Sequence, residues 1–367
     1  MFHLVDPATL RLSSFLSSLA FATVFAALAR GRRDPWMTWW AGSSAGYCVV
    51  LICFDLTGGV VSSPWSAVIE GMMALSIAMA LCGVRRFDGL PAFAWWMWLL
   101  IVAATVIPAA AWLLPASIAP VAAEQLSALM LVSCMIAFGL PMATSRAIDG
   151  TRLGRVVAGG ALIAYVPSYA LAALGDVLFG KPMDLLGLIP LVADQFLLAI
   201  CNLALLSIPG LRARMLLREA ALRDPLTGAW NRAGLAVGEA ALLVPGRVVL
   251  LVDVDHFKAV NDAHGHDVGD RVLRAIADGL HRAVAGDFVC RLGGDEFLVV
   301  TDAEDAAAAA ERVRTQAGGP VAGLPGWGLS VGLSRIEPGD TALAGAIQRA
   351  DRAMYRAKAG GRGRIAA

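Results

Sequence analysis

The chain has 367 residues, 58% of them hydrophobic, and a mean hydropathy of +0.67, which excludes an ordinary soluble globular protein. The formal net charge is +1, and the portion from Gly210 onward holds 20 basic and 19 acidic residues, so no polybasic patch supports nucleic-acid binding. Six scattered cysteines without a C-x-x-C pair argue against both a disulfide framework and a zinc site, and read as free thiols in a reducing compartment.

The apolar excess lies mainly before Pro209. Seven apolar stretches, at about 12–29, 37–56, 66–84, 92–114, 121–143, 156–179 and 185–208, each have the length a helix needs to cross a hydrocarbon core. Eight of the ten tryptophans fall in this half, several near span ends, as interfacial anchors do. Segment 1–10 has no basic leader, so the first span is expected to be an uncleaved helix. Arg30, Arg32, Arg33, Arg85, Arg86, Arg146, Arg152, Arg155, Arg212, Arg214 and Arg218 follow odd-numbered spans, whereas the alternate loops hold only Lys181, with Arg11 near the first span's start. Positive-inside reasoning then predicts an outside N-terminus and a cytoplasmic C-terminal domain. Glu70 falls in the third span and Asp194 in the seventh. Two readings stand for them: functional carboxylates, or acids that hydrogen-bond to neighbouring spans and fix packing. The absence of histidine between His3 and His256 argues against a bis-His haem or copper site.

Pro209-Gly210 is expected to end the last span. Residues 211–223 read as a short amphipathic linker helix, either a parallel stalk between two protomers or a solvated linker. Beyond it, helices are predicted at about 231–242, 268–284, 304–316 and 341–358, and strands at 247–252, 288–292, 297–301 and 328–334. This α+β order suits a mixed sheet covered by helices.

Two short apolar runs flank Gly293-Gly294-Asp295-Glu296-Phe297, a tight hairpin whose turn carries two adjacent carboxylates. Upstream, the strand 248–255 ends in Asp253 and Asp255, so acids from two strands could clamp one hard cation. His256-Phe257-Lys258-Ala259-Val260-Asn261-Asp262 follows, and then His264-Gly265-His266-Asp267-Val268-Gly269-Asp270. Near the C-terminus, Lys358 and Arg362 stand four apart, the spacing of one helix face reaching one polyphosphate. Lys358 is one of only three lysines against 27 arginines, which favours a specific role over a surface one.

These blocks, with Asp224-Pro225-Leu226-Thr227-Gly228 before them, resemble the catalytic domain of the GGDEF-family diguanylate cyclases, matching in order from Asp224 to Arg362. The resemblance implies a palm-like mixed sheet in a domain at 224–367, after a membrane bundle at 1–209 and a linker at 210–223. It implies condensation of two GTP to cyclic di-GMP by a homodimer, joined through these domains and the linker helix. It further implies Mg²⁺ or Mn²⁺, two per active half-site, on Asp253, the Val254 carbonyl and Asp295. Asp295 and Glu296 take the catalytic positions, and Asn261 and Asp270 those that read guanine. His256, Phe257, Lys258, Lys358 and Arg362 take those that hold phosphate. His264 and His266 are expected in a loop with a structural role. Where relatives carry an inhibitory Arg-x-x-Asp, this chain has Val284-Ala285-Gly286-Asp287, so only the acid remains. The leucine usual after Gly228 is also absent.

The resemblance places the chain in a bacterial inner membrane, in contact with lipid and GTP. No phosphodiesterase domain is expected after Ala367. Two other classes stay open: a non-catalytic receptor for GTP or cyclic di-GMP, and a transporter or small-ligand receptor with a regulatory cytoplasmic domain.

Overall fold

The computed structural model describes residues 6–32, 35–57, 65–179, 184–284, 287–319 and 321–367. Arg33, Lys181 and positions 285 and 286, which entered the sequence argument, lie outside them. The chain divides into two compact units, Met1–Arg214 and Met215–Ala367.

The elements described in the first unit are helices: α1 (Pro7–Arg32), α2 (Pro35–Leu56), α3 (Trp65–Phe87), α4 (Trp95–Ala110), α5 (Ala119–Ala143), α6 (Arg152–Ile163), α7 (Val166–Phe179) and most of α8 (Asp184–Leu222). Among the described residues, seven helical stretches are long and apolar enough to cross a membrane. Large side chains such as Phe25, Trp40 and Phe138 fill its core, and the indole of Trp40 donates to the Ala80 carbonyl at 3.1 Å. Arg155, in the first turn of α6, is buried, with a bidentate pair to Asp88 at 2.6 Å and a further contact to Asp149.

Two sequence expectations change here. The sixth span is broken between α6 and α7 around Tyr165, because Pro167 has no N–H for the turn before it. Beside the break, the Tyr165 carbonyl accepts from the Ser168 N–H and hydroxyl as well as the Tyr169 N–H. Pro209-Gly210 does not end the last span, since α8 runs through both. A proline inside an apolar helix removes one hydrogen bond, which neighbouring turns accommodate.

The second unit holds α9 (Arg232–Leu242), β1 (Val248–Asp255), α10 (Phe257–His264), α11 (His266–Ala283), β2 (Phe288–Gly293), β3 (Glu296–Thr301), α12 (Ala306–Ala317), β4 (Gly328–Arg335), α13 (Leu343–Ala359) and β5 (Ile365–Ala366). They form one mixed sheet in the order β2-β3-β1-β4-β5, antiparallel except for β4 with β5. Every residue of β1 is buried, as a Val- and Leu-rich strand with neighbours on both edges and helices on both faces must be. One core lies between the sheet and α11 and α12, and a second between the sheet and α13. The strand β5 was not anticipated: two residues give no periodicity to read.

Gly332 marks where α13 crosses the sheet. A Cβ there would stand 2.0 Å from the Ala350 carbonyl and 2.4 Å from the Met354 nitrogen, both backbone atoms that cannot swing aside. Gly332→Ala is therefore expected to destabilise this unit by about 1–3 kcal/mol. An unchanged midpoint in chemical denaturation of the purified chain would refute that packing.

Candidate active site

β1 delivers its acids to the end of the sheet beside the β2–β3 hairpin. Asp253 stands opposite Glu296 on one neighbour and Ser330 on the other. Gly293 pairs with Glu296, so the two-residue turn is Gly294-Asp295. Asp295 alone occupies that turn, and Glu296 already belongs to β3, which corrects the expectation of two turn carboxylates. Gly294 has φ +55°, a conformation that side chains resist, so a glycine is required there.

The carboxylate of Asp253 is nearly buried and meets the Lys358 ammonium at 2.7 Å. Burial pushes its pKa above the ordinary range; Lys358 opposes this, while Asp295 and Glu296 add to it. Two further carboxylates thus lie near Asp253, and Lys358 pairs with Asp253. Among the described residues, no group of three or more His, Cys, Asp or Glu side chains is arranged to hold a metal ion. An excess of negative charge on oxygen ligands, short of a closed cage, fits a magnesium-like ion that completes its shell with water and substrate phosphate.

Asp255 has a different task. Its two oxygens accept from the Ser330 hydroxyl at 2.6 Å and the Gly363 N–H at 2.9 Å, tying β1 to the segment after α13.

Only Gly265 separates α10 from α11, so His264 ends one helix and His266 begins the next. The expected histidine loop is reduced to a single glycine, whose φ of +83° permits the sharp turn. His256 precedes α10 in the left-handed region at φ +58°. Phe257 begins α10, half-buried, and Lys258 beside it is exposed. Asn261 projects from α10 onto Gly269, where a Cβ would stand 1.9 Å from its Oδ1. That oxygen is buried without a hydrogen-bond partner, and Asp270 is the next residue along α11.

Lys358 and Arg362 do not share a helix face. α13 stops at Ala359, Gly361 turns the chain at φ +115°, and the Arg362 N–H closes back on the Ala357 carbonyl. Arg362 lines an open cavity of about 710 Å³ together with His256 and His264. Lys358 lines another of about 470 Å³ with Glu296 and Asp351. Val254 is buried within β1.

Arg291 was not singled out from sequence. Its guanidinium donates to the Gly294 carbonyl at 3.0 and 2.7 Å and pairs with Asp224 at 3.0 Å, bracing the turn that carries Asp295. Asp224 also accepts from the Thr227 N–H and hydroxyl. Asn231 caps α9 and donates to the Ala221 and Arg223 carbonyls, so this block joins the end of α8 to the hairpin. Trp230 stacks on Phe288, and the absent leucine leaves no orphaned polar group there. All six cysteines are free, and burial pushes the Cys290 thiol up to about 12, leaving it inert.

Residues 221–364 match the family described as "Diguanylate cyclase, GGDEF domain". Diguanylate cyclase DgcP of Pseudomonas aeruginosa is 37% identical over 162 residues, 40% of this chain but only 24% of that relative's length. An uncharacterized 19.3 kDa protein of Streptomyces ambofaciens is 41% identical over 150 residues, 38% of this chain and 79% of its own. The crystal structure of the coiled coil and GGDEF domain of DgcB from Caulobacter crescentus in complex with c-di-GMP is 28% identical. It covers 46% of this chain and 98% of its own, with a TM-score of 0.40. Through this C-terminal region the chain belongs to the GGDEF family.

Burial works against a charged Asp224, but hydrogen bonds from Thr227 and Arg291 outweigh it and hold its carboxyl below the usual 3.8. A depressed carboxyl stabilises the fold above its unfolded pKa, and that contribution disappears as pH falls through the folded value. Asp224→Asn, which leaves a half-buried guanidinium without its counter-charge, should cost about 1–3 kcal/mol at pH 7. The difference in Tm from wild type should shrink once pH drops below 3.8. A gap of constant size down to pH 2 would show that the Asp224 charge contributes nothing.

Proposed function

We propose that the chain is a membrane-anchored diguanylate cyclase that condenses two GTP into cyclic di-GMP and two pyrophosphates. The observation that carries this reading is the meeting of Asp253, Glu296 and the Gly294-Asp295 turn at one end of the sheet, with Lys358 paired to Asp253. The domains are a membrane bundle at 1–209, a linker at 210–223 and a cyclase domain at 224–367. Positive-inside charge supports an outside N-terminus and a cyclase facing the cytoplasm across a bacterial inner membrane. Each cyclase domain carries one GTP and the reaction needs two, which supports a homodimer meeting through these domains and the linker helix.

Asp253, the Val254 carbonyl and Asp295 would hold Mg²⁺ or Mn²⁺, two per half-site, and the metal supplies charge neutralisation at the α-phosphate. Asp295 orients the attacking 3′-hydroxyl and favours loss of its proton. Glu296, whose partner strand carries Asp253, keeps the negative charge focused at that point. The orphaned Asn261 oxygen accepts a guanine N–H and the Asp270 carboxylate accepts the remaining donors, a pattern adenine cannot satisfy. Gly269 is required because any side chain would displace Asn261. Lys358 offsets the phosphate charge on one side. His256, Phe257, Lys258 and Arg362 serve the phosphates from the other, the first two through the N–H groups that open α10.

Incubation of the purified chain with GTP and Mg²⁺ should yield cyclic di-GMP. Asp295→Ala should lower turnover roughly a thousandfold, the scale of losing about 4 kcal/mol of transition-state stabilisation. Near-normal turnover in that variant would sink the assignment of Asp295.

Regulation by product should also differ from relatives that carry the inhibitory arginine. Val284 offers no donor, and the Asp287 carboxylate is already engaged by the Thr301 hydroxyl. Added cyclic di-GMP should therefore inhibit weakly, and excess GTP should relieve what inhibition there is. Potent inhibition that GTP does not relieve would contradict this.

A further inference from the structure

A second polar site lies within the helical unit. A cavity of about 80 Å³ is lined from α2, α3, α5, α6, α7 and α8, and from Tyr165 at the α6–α7 break. Three of the chain's four tyrosines, Tyr47, Tyr165 and Tyr169, face it, together with Asp194 and Asn202 of α8. At about 30 Å³ per water in the liquid, the cavity admits two or three water-sized groups.

The hydrogen-bond directions around it are fixed. Gln195 Nε2 donates to the Leu10 and Leu191 carbonyls, which only accept, and also to Ser14 Oγ at 2.7 Å. The Ser14 hydroxyl proton is thereby directed to Asp194 Oδ2, with which it bonds. The Tyr165 hydroxyl donates to Oδ1 at 2.8 Å. Hydroxyl donors on both oxygens suit the acceptor-only, charged form of a carboxyl, which burial by itself disfavours. Asp194 is 6% exposed, and among the described residues lining the cavity none is Lys, Arg or His. Arg11, one turn from Ser14 on α1, pairs with Asp55 instead. A buried charge without a counter-charge is costly.

Tyr47 also hydrogen-bonds to Asp194, and the serine and asparagine protons are directed to other partners. Ser43 and Ser76 donate to each other's carbonyls at 2.8 and 2.7 Å. Asn202 Nδ2 donates to the Leu198 carbonyl, which turns its Oδ1 to the Ser44 hydroxyl at 3.2 Å. Oxygen lone pairs and tyrosine rings are left to meet a ligand. That lining repels anions and suits a cation, through charge, oxygen acceptors and aromatic faces. One carboxylate balances one positive charge.

We propose that this cavity binds a small monovalent cation, ammonium-like or alkali, as the counter-ion of Asp194. The test uses the purified full chain in nanodiscs, titrated calorimetrically with methylammonium, Na⁺ or K⁺ chloride against a background of N-methylglucamine, which is too long for the cavity. At least one of the three should bind saturably at one site, and which one binds separates an organic amine from a metal ion as the occupant. Asp194→Asn should weaken that binding at least 30-fold. Tyr165→Phe keeps the ring, removes one donor from the carboxylate and should weaken it about threefold to tenfold, so it carries the test if the first variant does not fold. Three results would overturn the proposal: no saturable binding of any of these ions to wild type, binding unchanged in the folded variants, or a heat explained wholly by proton uptake.

Discussion

The acids at the end of a fully buried strand are the constraint around which the C-terminal unit is built. β1 is shielded on both edges and both faces, so Asp253 and Asp255 leave water when it forms. Each must then recover its lost solvation from protein. Asp255 does so with a hydroxyl from β4 and an N–H from the segment after α13. Asp253 does so with the ammonium of Lys358, delivered by the last turn of α13. The positions of β4, the end of α13 and the turn after it follow from two carboxylates that cannot be left alone.

The two acids divide the work. Asp255 is saturated by groups that bear no charge, which makes it structural. Asp253 has one lysine partner and two further carboxylates acting on it, so its surroundings remain short of positive charge. The opposing hairpin obeys a related rule, because a turn at φ +55° is fixed only if its backbone groups are bonded. Arg291 supplies those bonds, and its remaining N–H group reaches Asp224. The block that follows α8 therefore braces the turn carrying Asp295, although the two are far apart in sequence.

Much of this was legible from the chain. The alternation of helix and strand, the hairpin and the Asp253–Asp295 neighbourhood follow from hydrophobic runs and turn residues. What stayed hidden depended on single backbone conformations or on partners distant in sequence. Lys358 and Arg362 have helical spacing, yet Gly360-Gly361 ends the helix between them and sends the side chains to different openings. Arg291 reads as an ordinary strand residue until Gly294 and Asp224 are brought beside it. Pro209 reads as a terminator because, in water, the lost hydrogen bond favours a break; within an apolar helix, breaking would expose more backbone than it releases. Pro167 does interrupt its helix, and beside it the Ser168 hydroxyl and N–H join the Tyr169 N–H on the Tyr165 carbonyl.

That interruption decides what the helical unit can do. Glu70 and Asp194 were equivalent in sequence, each one acid in an apolar span. The structure separates them through their neighbours. Asp194 gathers Tyr165 from the break and Ser14 from α1, whereas one Glu70 oxygen is buried without a hydrogen-bond partner. Hydroxyl donors stabilise a carboxylate but carry no charge, so they resolve its lost hydrogen bonds and leave its electrostatic cost. Both units thus bury an aspartate behind well-directed donors. Only the C-terminal one provides a lysine; in the helical unit the cavity beside Asp194 has no Lys, Arg or His among the described residues that line it.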